Sequence, residues 1–259
     1  MPMRESGHGS PGPASGRGSR RGDTEADSIV PCSQCPVARV CLPANVRPDQ
    51  VPLIEGMVSR QRALQPGQYL FHVGDDFSSL FAVRSGCLKS TVLDADGGEH
   101  ILNFHLPGEI LGFAAIYQER HAGNAIAVAP AIVCYLSFRE ILRLAQTFPE
   151  LVLGLLRIAS RSALYTGRLT GDHNAVVRVA AFFLSVSGRL RAQGQSGTEF
   201  DLVMSREDIA NHLRLAPETV SRVLTQLRED QIIAVSRRSV RLLDADRLQS
   251  LAGPMLPSG

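Results

Sequence analysis

Four of the five cysteines in this chain are spaced so that they could do chemistry together. Cys32, Cys35 and Cys41 lie in the run CSQCPVARVC, and Cys134 lies far downstream in AIVCYLSF. A C-x2-C-x5-C cluster lets three thiolates converge on one point, and a distant fourth closes the site only if the chain folds back. Such an arrangement ties a metal centre to the tertiary fold. Thiolates are soft ligands that select iron-sulfur clusters or zinc, and a zinc knuckle or a redox dithiol competes for the same short spacing. Cys87, in RSGCLKS, reads as a small apolar filler on a strand.

The elements that must position those thiols follow from the patterning around them. A chain of 259 residues can bury a sizeable core and divide into two domains with connectors. No apolar run reaches the roughly 18 residues of a membrane span, and the N-terminus lacks the apolar stretch of a signal peptide. A cytoplasmic protein with no membrane partner is expected, its thiols reduced and free to bind metal. Residues 1–28 are rich in Gly, Ser, Pro and Arg and are expected to be a disordered tail. The cysteine-rich segment spans 29–50. Over 51–148, turn signals such as Pro66-Gly67, Ser85-Gly86, Pro107 to Glu109 and Gly123-Asn124 separate short apolar runs, the spacing of a β-roll.

After Pro149 the period becomes helical. Leu151, Leu155, Ile158, Ser162, Tyr165 and Leu169 recur at alternating four- and three-residue steps over residues 149–173, a candidate dimer seam whose weak member is Ser162. An amphipathic helix packed on its own domain has the same period. Residues 174–250 form a second helical domain, and 251–259 a tail. The expected fold class is therefore α+β: an N-terminal β-roll domain, a long helix that is a candidate for dimerisation, and a C-terminal helical domain in which a winged helix-turn-helix is read as follows.

The helix-turn-helix is read from Ser205 to Asp230, SREDIANHLRLAPETVSRVLTQLRED. Ser205 and Asp208 make an S-x-x-D helix start, with Ile209, Ala210 and Leu213 as the inner face. Arg214, Leu215 and Ala216 form a tight connector, and Pro217 opens a second helix with Val220, Val223, Leu224 and Leu227 inward. Glu218, Ser221 and Arg222, with Thr219 beside them, lie within about one turn on the outer side. Arg can pair with guanine, Glu can accept from cytosine, and hydroxyls suit base edges or phosphate. Residues 231–243 alternate like a two-stranded wing with Arg237 and Arg238 at its tip, placed for phosphates. An ordinary Glu218 to Arg222 surface pair is the plain alternative. The net charge of +2 says little by itself, but residues 175–250 hold eleven arginines, no lysine and nine acids, so any basic surface there is a local arginine patch.

The order of tail, CxxCxxxxxC, β-roll, fourth cysteine, long helix and ETVSR-containing winged helix resembles the fumarate-and-nitrate-reduction regulator (FNR) branch of the cyclic-AMP receptor protein family, over about residues 29–250. The resemblance implies that Cys32, Cys35, Cys41 and Cys134 ligate an oxygen-labile [4Fe-4S] cluster and that Glu218, Ser221 and Arg222 read a TTGAT half-site. It also implies a homodimer on palindromic double-stranded DNA that recruits RNA polymerase under low oxygen. Two positions depart from the wider family. Phe113 stands where a cyclic-nucleotide ligand would need a second Glu, and GNAIAV offers no Arg, which argues against control by cyclic AMP. The long helix has no carboxylate from Leu151 to Gly171, leaving Arg157, Arg161 and Arg168 as its charges. No enzyme motif is present: there is no P-loop, G-x-S-x-G or H-E-x-x-H. A zinc, thiol-redox or haem-sensing regulator of the same fold is the alternative.

Overall fold

Strand β3 (Ser79–Ser85) shows why this part of the sequence makes a roll rather than a flat sheet. Its side chains alternate with period two, yet both faces are buried: Phe81 and Val83 enter the interior of the roll, while Leu80 and Ala82 join a second core beneath the helices. The computed structural model describes residues 29–94, 96–169 and 173–253, and the side chains of 165–169 fall outside that description. The tail expected at residues 1–28 lies outside the described residues, as does the chain end from 254.

Three single turns of 3-10 helix (Cys32–Gln34, Leu42–Asn45 and Pro48–Gln50) and the short helix α1 (Val51–Met57) precede the roll. Its other strands are β1 (Val58–Leu64), β2 (Tyr69–Phe71), β4 (Leu88–Leu93), β5 (Glu99–His105), β6 (Ile110–Leu111), β7 (Asn124–Ala127) and β8 (Ala131–Ser137), with α2 (Ala115–Gln118) between β6 and β7. Two antiparallel four-stranded sheets result, ordered β1-β8-β3-β6 and β2-β7-β4-β5. Helix α3 (Phe138–Ala145) is capped by the Ser137 hydroxyl and leads to the 21-residue α4 (Pro149–Leu169).

The C-terminal unit begins with α5 (Ala175–Ala192), whose first turn is capped by Asn174. Then come β9 (Glu199–Asp201), α6 (Arg206–His212), α7 (Pro217–Glu229), the hairpin β10 (Ile233–Ser236) and β11 (Ser239–Leu242), and α8 (Ala245–Ala252). Strand β9 pairs with β11, so the wing has three strands where the sequence pattern shows two.

The two units share one core. Cys87, Ile101, Phe104 and Leu106 of the roll pack with Phe182, Phe183, Ile209, Leu213 and Leu227, and the Phe104 and Phe182 rings meet edge-on at 6.3 Å. Polar bonds flank this contact. The Asn211 amide accepts from Ile101 N–H and donates to the Glu99 carbonyl, both at 2.7 Å, thereby completing edge strand β5 as a neighbouring strand would. Lys89 bridges Glu99 and Asp208 at 3.1 and 3.0 Å. Cys87 is fully buried here, with burial pushing its thiol up to about 12, but it lies in the turn between β3 and β4 and not on a strand as the filler reading expects.

Candidate functional site

The alternation of β8 decides where the fourth cysteine goes. Val133 and Tyr135 face the roll interior, so Cys134 and Leu136 face the other side, toward the helical core that Cys32 and Cys41 also line. The cysteine segment is pinned there by Leu42, which has no exposed surface, and by close backbone approaches. A Cβ on Gly108, at φ +86°, would stand 2.4 Å from Val40 Cγ2, and one on Gly154 of α4 would stand 2.8 Å from Asn45 Cβ. Glycine at both positions lets the segment lie against the roll and the long helix.

Two further side chains set the register of this segment, and neither stands out in the sequence. Gln61, 3 % exposed on β1 and paired across the sheet with Cys134, accepts from Val30 N–H at 3.3 Å and donates to the Val30 carbonyl at 3.1 Å. Glu55 of α1 accepts from Ser33 N–H at 2.7 Å. The signal for both lies in sheet register and segment docking, which no local motif encodes.

All four thiols are free. Burial, then the neighbouring Cys134, Cys35 and Glu55, push Cys32 up to about 12. Burial likewise pushes Cys41 up to about 12, aided by Cys134, Cys32 and Cys35 against a bond from the Leu42 backbone. Cys134 rises to about 11 through burial and Cys35, against the Arg84 charge and a bond to Gln61. These thiols therefore lie within reach of one another's charge, and each one's ionisation opposes the next unless a cation offsets it. They do not stand in a finished coordination shell: among the described residues no three His, Cys, Asp or Glu side chains are grouped closely enough to hold a metal ion. As a donor set they still fit a thiolate-held centre, being four soft sulfurs from two segments with none consumed by a disulfide.

The nucleic-acid face is built on local signals. The Ser205 hydroxyl accepts from Asp208 N–H at 2.9 Å, Ile209, Ala210 and Leu213 are buried, and Arg214 turns the chain at φ +54°. Helix α7 buries Val220, Val223, Leu224 and Leu227. Glu218 and Arg222 are exposed, Thr219 and Ser221 half-buried, and Arg222 donates to Thr219 Oγ1 at 3.3 Å. Ser236 pairs with Ser239, so Arg237 and Arg238 form the two-residue hairpin turn, both exposed. The roll holds α6, leaving the outer face of α7 and the wing tip open.

Part of the stripe on the long helix read as a candidate dimer seam is buried within the protomer. Leu151, Leu155 and Ile158 are 3, 8 and 8 % exposed and pack with Leu42, Ile54 and Ile141 of their own protomer. Leu151, Leu155 and Ile158 of the candidate stripe thus face their own protomer, where the cysteine segment and α3 cover them. The apolar row left outward is Leu153, Leu156 and Leu164, with Val152 at its edge. The Tyr165 and Leu169 side chains lie outside the described residues.

A cavity of about 250 Å³ between the roll and α4 is lined by Phe71, Phe113, His121 and Ser162 among others, with no arginine, lysine or carboxylate among the described residues on its wall. Phe113 thus stands on an uncharged surface. No helix among the described residues is long and apolar enough to cross a membrane.

A β-roll joined through a long helix to a winged helix-turn-helix defines a DNA-binding transcription regulator. Residues 61–148 match the cyclic nucleotide-binding domain and residues 177–251 the Crp-like helix-turn-helix domain. The chain belongs to the FNR branch of the cyclic-AMP receptor protein family. It is 38 % identical over 229 residues to the transcriptional activator protein Anr of Pseudomonas protegens, covering 86 % of this chain and 92 % of the relative. With the fumarate and nitrate reduction regulatory protein of Salmonella typhimurium it shares 33 % identity over 233 residues, covering 86 % and 91 %. Among solved structures, FixK2 from Bradyrhizobium japonicum superposes with a TM-score of 0.67 at 25 % identity, covering 74 % of this chain and 96 % of that one.

Proposed function

We propose that this regulator senses oxygen through a [4Fe-4S] cluster held by Cys32, Cys35, Cys41 and Cys134, and that it binds palindromic TTGAT-type DNA as a cytoplasmic homodimer that recruits RNA polymerase when oxygen is low. What supports the reading is that Cys32, Cys41 and Cys134 pack against one core and that these free thiols, with Cys35, lie near enough to oppose one another's ionisation. When bound, the cluster supplies an oxygen-labile link between those segments. The chain's own residues do the rest. Gln61 and Glu55 hold the cysteine segment in register, Leu42 anchors it beneath α4, and the outward row of Leu153, Leu156 and Leu164 offers a second copy an apolar face. In each subunit Arg222 and Glu218 meet base edges, with Thr219 and Ser221 beside them, and Arg237 and Arg238 meet phosphate. The uncharged wall around Phe113 favours a signal other than cyclic AMP.

The test is anaerobic reconstitution of five single cysteine variants, with iron, sulfide and the visible spectrum measured for each. Cys32→Ser, Cys35→Ser, Cys41→Ser and Cys134→Ser should lose the cluster, and Cys87→Ala should keep it. A full cluster in Cys134→Ser would remove the distant ligand from the assignment. A colourless protein containing zinc would replace the oxygen-sensing reading, since zinc has a filled d shell.

A further inference from the structure

A second cavity, of about 470 Å³, has a lining with a chemistry of its own. It opens where four parts of the chain meet: the cysteine segment, the turn before β6, helix α4 and helix α5. Its volume falls within the range of small-molecule sites. Arg39, Arg157, Arg161 and Arg189 line it, against Glu109 as the single carboxylate among the described residues. That carboxylate is already engaged by Arg189, at 2.6 Å between Oε1 and Nε. Arg39 donates to the Gln193 carbonyl, a neutral partner.

Arg157 and Arg161 are one turn apart on α4, and no hydrogen bond or ion pair among the described residues engages either. Like charges four residues apart cost a helix stability, and α4 past Glu150 carries no acid to offset them. An arrangement that destabilises the empty protein stabilises an anion when one is present. Guanidinium groups present paired donors that match carboxylate and phosphate oxygens, and partial enclosure strengthens the attraction. Val40, Ile110, Ile158 and Phe182 supply an apolar wall for a carbon body. His105 and His212 also border the space, but burial lowers both to about 4, so they add no charge at neutral pH.

We propose that this cavity binds a small organic polyanion, a molecule carrying two or more phosphate or carboxylate groups, clamped between Arg39 and the Arg157/Arg161 pair. It adjoins the uncharged cavity behind Phe113 and shares Asn103, His105, Ile110 and Ser162 with it, but the arginines belong to this side alone. Because Arg39 lies between Cys35 and Cys41, a bound anion would fasten the cysteine segment to the long helix.

Titration calorimetry of the full chain, purified without oxygen, tests this with pyrophosphate and with citrate as probes. One saturable site per chain is expected for at least one probe, and the stronger of the two identifies phosphate or carboxylate as the recognised group. Arg157→Gln/Arg161→Gln should weaken it at least tenfold, as should Arg39→Gln on the opposite wall. Gly188 of α5 borders the cavity with open space beyond its Cα, so Gly188→Phe should block binding with no change of charge. Arg237→Gln/Arg238→Gln at the wing should bind like the parent. Absence of saturable binding with both probes overturns the proposal, and so does parental affinity in both the Arg157→Gln/Arg161→Gln and Gly188→Phe proteins.

Discussion

Exchanging Glu109 tests whether the ion pair with Arg189 is the joint that holds the DNA-reading unit on the roll. Arg189 Nε and Nη2 donate to the two carboxylate oxygens at 2.6 and 2.5 Å, and Nη2 also donates to the Phe104 carbonyl at 2.5 Å. Glu109 accepts in addition from Leu106 N–H at 3.1 Å. The two side chains are 22 and 15 % exposed. Burial raises the Glu109 carboxyl, but the charge and hydrogen bonds of Arg189 outweigh it and hold the group below the usual carboxylate range. At an effective dielectric of 20, unit charges at this separation attract by about 6 kcal/mol, and desolvation of the two ions returns most of that. The intact pair therefore contributes little net, whereas removing one partner strands a charge and costs ~3–5 kcal/mol. The lower end applies here, because Arg189 keeps the Phe104 carbonyl and some solvent. Glu109→Leu and Arg189→Met should each cost about 3 kcal/mol, and the double variant less than either single rather than the additive ~6, a coupling of at least roughly 3 kcal/mol. The chain has no tryptophan, so urea unfolding is best followed by circular dichroism, with amide exchange reporting β5. The single variants should also separate one cooperative transition into two, since the joint links two domains. An additive double variant, or single costs below about 1 kcal/mol, would refute the argument.

Acid should weaken the protein through the same region. His105 and His212 have folded pKa values lowered to about 4 from near 6.5, so the unfolded chain binds protons first, and stability falls as pH drops from about 6.5 toward 4 by up to ~3 kcal/mol per histidine. Glu109, depressed in the fold, adds a loss at still lower pH, as the pH falls through its folded value. Denaturation midpoints between pH 7 and 4 should show this slope, and His212→Gln should flatten it; a flat profile in the parent would contradict the burial argument. On the long helix, Leu156→Glu should give a folded monomer in sedimentation, whereas Ile158→Glu should cost several kcal/mol of stability because it places a charge in the protomer's own core. In binding titrations against single-base variants of a TTGAT palindrome, Arg222→Ala should cost roughly 1–3 kcal/mol per half-site and relax one position, while Arg237→Ala should weaken all sequences alike and flatten the salt dependence. Uniform loss in Arg222→Ala would remove its base-reading role.

What the sequence by itself determined was local. The helix-turn-helix is legible because its cap at Ser205, its connector at Arg214 and its inward residues Val220 to Leu227 depend on neighbours a few positions apart. The wing tip at Arg237 and Arg238 is legible for the same reason, although its third strand, β9, comes from some forty residues earlier and carries no local sign. Candidate cysteines could be listed from their spacing. Only the tertiary structure decided what depends on long-range register. Cys134 turns toward the cysteine segment because β8 alternates between two cores, and Gln61 reaches Val30 because β1 pairs with β8 in one register. The same holds for the long helix. A heptad records that a face is apolar but not which surface will cover it, and the cysteine segment folds over Leu151, Leu155 and Ile158, leaving Leu153, Leu156 and Leu164 outside. Docking of α6 on β5 through Asn211, and the gathering of Arg39, Arg157, Arg161 and Arg189 around one cavity, join residues as many as 150 positions apart, a separation at which periodicity and motif carry no information.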